Sequence, residues 1–210
     1  MISMEKTVKF QLTLCSALTL GVLAGCAGVT DDIAVNGTLP AQAHQAVKYS
    51  FAHTPAQTES GAKLPYEALL RDGLATRGFV EGKPDAAQYL VSVAWASRPV
   101  NVTAQAQGEC DGPGGCPSKG ASGFGWFGPK WTHTMTLRFF ALPAGTEAYR
   151  VTVVKRDRNA DAQAALPYLV TGALAQLPYA GAPQWRVSLR EPARPGALPE
   201  VKSVKPVVQQ

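Results

Sequence analysis

Only three histidines, His44, His53 and His133, are available for acid–base or metal chemistry. His133 lies in the stretch WTHTMTLRFFAL, where the alternation of apolar and polar residues predicts a strand with His133 on its apolar face. No serine or cysteine nucleophile with an orienting carboxylate is identifiable beside it, although nucleophilic catalysis requires both. The pattern therefore favours a hydrogen-bonded histidine of the core or sheet edge, and a hydrolase that uses His133 stays open as an alternative.

The stretch DRNAD, Asp157 to Asp161, has the beginning of a calcium-binding loop. The glycine that such a loop requires is replaced by Ala162, and Tyr168 stands where a bidentate glutamate should be. We therefore predict that Asn159 or Asp161 caps a helix that follows. No metal site and no soluble cofactor are predicted.

Two cysteines, Cys110 and Cys116, enclose a Pro-Gly-rich pentapeptide in CDGPGGC. Such a segment bends enough for a disulfide, and closing this short ring removes chain entropy worth roughly 2 kcal/mol. A redox pair usually has Cys-x-x-Cys spacing, and a zinc site needs two further ligands, so both alternatives are weaker. The spacing favours a structural disulfide, which an oxidising compartment would preserve.

The N-terminus has the pattern of a secretory leader. Lys6 and Lys9 precede an apolar run over residues 10–23, which is shorter than the roughly 20 residues of a membrane-spanning helix. The run ends in LAGC, Leu23 to Cys26, which resembles the lipobox of bacterial lipoproteins. The resemblance implies that residues 1–25 are removed as a signal peptide and that Cys26 carries the covalent lipid, an anchor that needs no spanning helix. An ordinary signal peptide is the alternative.

The residue after the cysteine, Ala27, is similar to that of lipoproteins sorted to the outer membrane. The expected location is therefore the periplasmic side of the cell envelope, at the outer membrane. The chain of 210 residues has a formal net charge of +5, and its charges are scattered. Nucleic acid is not an expected partner for a lipid-anchored envelope protein, and a solvated basic surface is the favoured interpretation.

A Gly-rich segment carries an unusual number of large aromatic residues. Phe124, Trp126, Phe127 and Trp131 lie within or beside the insertion at 107–130. Long insertions between strands are often functional, and aromatic residues are common in binding hot spots. We predict that these four residues contact a partner, with the alternative that they fold back onto the sheet.

Alternation of apolar residues predicts five strands, and i, i+3, i+4 spacing predicts two helices, near 65–78 and 164–177. The predicted order is β-α-β-β-β-α-β, with a hairpin formed by 131–142 and 147–156. We expect an α+β fold, a two-layer sandwich of a mixed sheet with two helices on one face. The domain would cover residues 46–190, with the lipidated cysteine and a flexible tether at 26–45 and a Pro-rich extended tail at 191–210.

Several short motifs share a pattern of aromatic, glycine and acidic positions: Tyr49, Phe51, Gly78, Phe79, Asp85, Ala86, Tyr89 and Pro178. These motifs resemble a family of short bacterial lipoproteins known only as a domain of unknown function. The similarity covers about residues 45–190, and Gln88 stands where the family has an acidic residue. It implies a fold and a compartment but no catalytic residues.

Together these patterns predict a membrane-anchored periplasmic lipoprotein that is a non-enzymatic envelope interaction module. Its expected partners are the membrane, through the anchor, and an envelope protein or lipid. Two alternatives remain: an accessory lipoprotein for transport of lipid or another envelope component, and the hydrolase that uses His133.

Overall fold

A computed structural model describes residues 28–39, 46–61, 64–100, 130–194 and 196–208. Within these residues, eight strands form one mixed sheet in the order β3-β2-β4-β5-β6-β1-β7-β8. The strands are β1 (Val29–Gly37), β2 (Val47–Phe51), β3 (Phe79–Glu81), β4 (Tyr89–Pro99), β5 (Trp131–Ala141), β6 (Thr146–Asp157), β7 (Gln184–Arg190) and β8 (Glu200–Pro206).

Three α-helices are present in the described residues. α1 (Pro55–Ser60) begins with a capping box in which Thr54 and Gln57 exchange side-chain to backbone hydrogen bonds. α2 (Glu67–Ala75) buries Leu70 and Leu74 on one face. α3 (Ala162–Leu174) is capped by Asp161, whose side chain accepts from the Gln163 N–H, so the capping prediction is confirmed.

The centre of the sheet is an antiparallel arrangement of long strands. β4 pairs with β5, and β5 with β6, so the predicted hairpin is confirmed. β1 inserts between β6 and β7 and runs antiparallel to both. β2 pairs in parallel with β3 and with β4. The sheet is therefore mixed, and the chain has an α+β fold, as the sequence predicts.

Strict alternation in the central strands explains where the core lies. Alternate residues of β5 and β6 are buried, and the residues between them are more exposed. α3 packs against β5, β6 and β1, and α2 packs against α3. The fully buried side chains of the two strands include Met135, Leu137, Phe139, Tyr149, Val151 and Val153.

The predicted order of elements is wrong because it omits three strands, β1, β3 and β8, and one helix, α1. β1 lies inside the segment predicted as a flexible tether at 26–45, and β8 lies inside the predicted extended tail at 191–210. β1 was hidden because Asp31 occupies an inward position and interrupts its apolar alternation. β8 is an edge strand with no buried residue. A bulge places Val201 and Val204, three positions apart, opposite Leu189 and Val187, so its apolar residues do not alternate along the sequence.

The other omitted elements, α1 and β3, are too short for a periodic pattern. Helix α3 begins two residues earlier than predicted and includes Pro167. No helix among the described residues combines the length and apolar character needed to cross a membrane.

Candidate functional site

Four neighbouring strands place polar residues side by side on the face against which α3 packs. Ser97 on β4 lies opposite His133 on β5, His133 lies opposite Lys155 on β6, and Lys155 lies opposite Asp31 on β1. His133, Lys155 and Asp31 are buried, and Ser97 is half-buried. We call these four residues the polar row.

Both ring nitrogens of His133 have partners. Nδ1 lies 2.7 Å from the Ser97 Oγ, and Nε2 lies 2.9 Å from the Asn159 carbonyl oxygen and 3.3 Å from Asp157 Oδ1. Because a carbonyl oxygen only accepts, these partners assign the ring proton to Nε2, and Nδ1 accepts from the Ser97 hydroxyl. Burial lowers the pKa of His133, which favours this neutral form.

Asp157 joins the row to the loop before α3. One of its oxygens accepts from the Asn159 N–H at 3.0 Å and faces His133, while the other forms an ion pair with the Lys155 ammonium. Lys155 Nζ also lies 5.1 Å from the centre of the Tyr168 ring, within range of a cation–π contact. Burial lowers the pKa of Lys155, and the neighbouring Asp31 opposes that change.

Asp31 is the exception in this row, because neither of its carboxyl oxygens has a hydrogen-bond partner. Burial raises its pKa from 3.8 to about 7, Lys155 acts in the opposite direction, and Asp32 adds a smaller increase. Gly172 of α3 lies directly above it: a Cβ at that position would be 2.7 Å from Asp31 Oδ2. The glycine therefore allows the helix to cover the row closely.

The connected groups Ser97, His133 and Asp157 have the roles that hydroxyl nucleophile chemistry needs. A base contacts the hydroxyl, and a carboxylate contacts the other side of the base. The same hydrogen bonds also satisfy a buried imidazole and hold the Asp157–Asp161 loop at the start of α3. In the described residues, no group of three or more His, Cys, Asp or Glu side chains is arranged to hold a metal ion.

Sequence reasoning placed His133 on the inward face but missed its partners. Lys155 could have been found, because it continues the inward alternation of Tyr149, Val151 and Val153 with a charge. Ser97 could not, because its proximity to His133 depends on the register of β4 against β5.

Of the four aromatic residues predicted to contact a partner, the structure describes Trp131. It is the first residue of β5, half-buried, and lies opposite Pro99 and Asp157. The chain leaves the sheet at Val100 and returns at Lys130, where the Val100 N–H donates to the Lys130 carbonyl oxygen at 2.7 Å. The remaining predicted site residues, Phe124, Trp126, Phe127, Cys26, Cys110 and Cys116, lie outside the described residues.

Six strands begin or finish beside Pro99 and Trp131, and together they form one end of the sheet. β4, β6 and β7 finish there, and β1, β5 and β8 begin there. The first residue of β1, Val29, pairs with Leu189 in the same region. We call this the β1-start end of the sheet.

No protein-family model and no curated protein matches the chain. Among solved structures, the PelC dodecamer from Paraburkholderia phytofirmans is 12% identical, with 72% of this chain and 99% of that chain covered and a TM-score of 0.40. A PDZ domain protein from Parabacteroides distasonis is 8% identical, with 78% of this chain and 40% of that chain covered and a TM-score of 0.45. TM-scores this low do not establish a common fold.

Proposed function

We propose that this chain is a lipoprotein anchored through Cys26 on the periplasmic side of the bacterial envelope, at the outer membrane, and that it is a non-enzymatic interaction module. The LAGC sequence supports the anchor, and the proposal extends to the family of short lipoproteins that the motifs resemble. It also includes a disulfide between Cys110 and Cys116.

The position of β1 is the observation that carries this proposal. Val29 begins a strand in the interior of the sheet, three residues after Cys26. Three extended residues span at most about 11 Å, so a lipid on Cys26 holds the β1-start end of the sheet beside the membrane. The folded domain would lie at the membrane surface, without the long tether that the sequence predicts.

The insertion that carries Phe124, Trp126 and Phe127 is connected to the sheet at that same end. Val100 and Lys130, where it departs and returns, lie beside Pro99 and Trp131 at the β1-start end. Phe124, Trp126 and Phe127 therefore belong to a segment that starts and finishes near the anchor. This arrangement favours a partner in or on the membrane.

The anchor is tested by Cys26→Ala, with Cys15→Ala in the leader as the matched control. We expect the first variant to leave the detergent phase on phase separation and the second to remain in it, because only Cys26 is acylated. Retention of Cys26→Ala in the detergent phase, with the leader removed as judged from its mass, would show that the lipobox is not used. Photo-crosslinking at Trp126 in cells then tests the contact: adducts within this chain alone would contradict a partner.

The two-layer arrangement belongs to the same proposal. We infer that α2 and α3 share one face of the sheet. Supporting it, α3 packs on the central strands, and a Cβ at Gly73 of α2 would be 2.3 Å from Leu174 of α3. The opposite face of the sheet is then not covered by these two helices.

The hydrogen bonds of His133 favour one second candidate, a hydrolase. In this reaction Ser97 Oγ attacks an ester carbonyl carbon, and the hydroxyl proton of Ser97 passes to His133 Nδ1. His133 then gives that proton to the departing alcohol, which leaves an acyl group on Ser97. Water hydrolyses this acyl-serine and restores the free hydroxyl. The proposal predicts turnover on a panel of ester substrates that Ser97→Ala abolishes. Ser92→Ala, on the same strand but facing the other side, should retain it. A wild-type protein without turnover on the panel would exclude this candidate.

A further inference from the structure

We propose that the β1-start end binds the anionic head groups of phospholipids through four exposed cations, Arg98, Lys130, Arg156 and Arg158. We call these four residues the basic corner. This inference rests on the proposed function, since the anchor on Cys26 is what brings this end to the membrane.

The register of the strands brings these cations together. Arg98 on β4 and Arg156 on β6 lie opposite the same residue, Thr132 of β5, so only one strand separates them. Lys130 directly precedes β5, and Arg158 directly follows β6, at the same end of the sheet. All four side chains are exposed, with Arg156 at 55%.

Two carboxylates adjoin this corner, Asp157 and Asp32, and each has cationic partners. Asp157 is turned toward the polar row, where it holds the Lys155 ammonium. Asp32 pairs with Arg156 at 2.9 Å and also with Arg186 at 3.2 Å, and both ion pairs are exposed. Exposed pairs contribute little, so Arg156 can exchange Asp32 for a phosphate at small cost.

Distance and charge identify the partner as the anionic surface of the membrane itself. The anchor lies within about 11 Å of Val29, which is comparable to the Debye length of about 8 Å at physiological salt. Arginine forms paired hydrogen bonds with phosphate oxygens, and lysine adds a point charge. Trp131 lies at the same end, and tryptophan is enriched where proteins meet the lipid–water interface.

The test measures vesicle binding without the lipid anchor. The protein is prepared as residues 26–210 with Cys26→Ala; the described core lies wholly within residues 28–208, so it is retained. Flotation compares phosphatidylcholine vesicles that contain 30% phosphatidylglycerol with vesicles of phosphatidylcholine alone. We expect binding to the anionic vesicles only, and we expect it to weaken as salt is raised.

Two triple variants locate the surface. Arg98→Gln, Lys130→Gln and Arg158→Gln together should lower partitioning onto anionic vesicles by about a hundredfold, because each cation near the surface contributes about 1 kcal/mol. Lys48→Gln, Lys83→Gln and Lys205→Gln remove the same charge from exposed positions at the opposite end of the sheet. β4 spans 11 residues, or about 33 Å, so this control set should change binding by less than about threefold.

Three results would overturn the inference: no binding to anionic vesicles, equal binding to neutral ones, or equal loss in both triple variants. A protein partner with an acidic surface would give the first of these. Because the anchor is absent from this assay, its outcome is separate from that of the Cys26→Ala phase separation, and either proposal can fail alone.

Discussion

Replacing Asp31 with asparagine should stabilise the protein at alkaline pH and have much less effect at acidic pH. Asp31 is fully buried, and neither carboxyl oxygen accepts a hydrogen bond. Asparagine has nearly the same shape and carries no charge, so it resembles the protonated acid that the core prefers. Lys155 keeps its ion pair with Asp157 in the variant.

The sign and size follow from the pKa of Asp31, which burial raises from 3.8 to about 7. Between pH 3.8 and about pH 7, Asp31 keeps its proton in the folded protein but releases it in the unfolded chain. The free energy of unfolding of the wild type therefore falls as pH rises through this range and stays at its lower value above about pH 7. At about 1.36 kcal/mol per pKa unit, the advantage of Asp31→Asn should grow by about 2.5 kcal/mol between pH 5 and pH 8.

Urea denaturation at pH 5, 6.5 and 8 measures this difference, with Asp32→Asn as the matched control. Asp32 is the next residue, faces the open side and forms only exposed ion pairs, so its replacement should cost less than about 1 kcal/mol at any of these pH values. If the stability difference between Asp31→Asn and wild type were the same at pH 5 and pH 8, the argument that a buried carboxyl is ionised against its environment would be refuted.

Two further substitutions test the packing at the other end of the β1–β6 pair, where Gly37 lies opposite Tyr149. Gly37→Ala should lower the free energy of unfolding by about 1–3 kcal/mol more than Gly145→Ala does. Both glycines have positive φ, but only at Gly37 would a Cβ lie 2.1 Å from the Ala148 carbonyl oxygen. Equal losses of stability in chemical denaturation would contradict this clash. Tyr149→Phe should cost about 1–3 kcal/mol, because the buried Tyr179 N–H donates to the Tyr149 hydroxyl at 2.9 Å; an unchanged melting temperature would show that this N–H finds another acceptor.

The parts of the fold that the sequence predicted are those with an unbroken apolar period. The β5–β6 hairpin was predictable because Met135, Leu137 and Phe139 alternate with threonine and arginine, and one face of each strand is buried. β1 was not, although it lies between β6 and β7 in the sheet. Its inward face carries the buried Asp31, so the local hydropathy pattern does not predict a strand there. The segment is buried because it pairs with β6 and β7, which are distant in the sequence.

The same distinction applies to the candidate site. The inward position of His133 is a local property and was predicted. Its contacts with Ser97 and Asp157 arise from residues 36 and 24 positions away, which only the register of three strands brings together. The basic corner depends equally on register, so scattered charges in the sequence gave no sign of a cluster.

The hydrolase candidate and the proposed lipid binding use opposite sides of the same strand ends. The hydrolase depends on Ser97 and His133, which face α3, whereas lipid binding depends on exposed cations such as Arg98, the residue next to Ser97. Neighbouring residues on a strand point to opposite faces, so Ser97→Ala and Arg98→Gln change one surface each. A loss of vesicle binding in the second variant and not in the first would therefore place lipid binding on the face that carries Arg98. Ester turnover that Ser97→Ala abolishes and Arg98→Gln retains would place catalysis in the polar row.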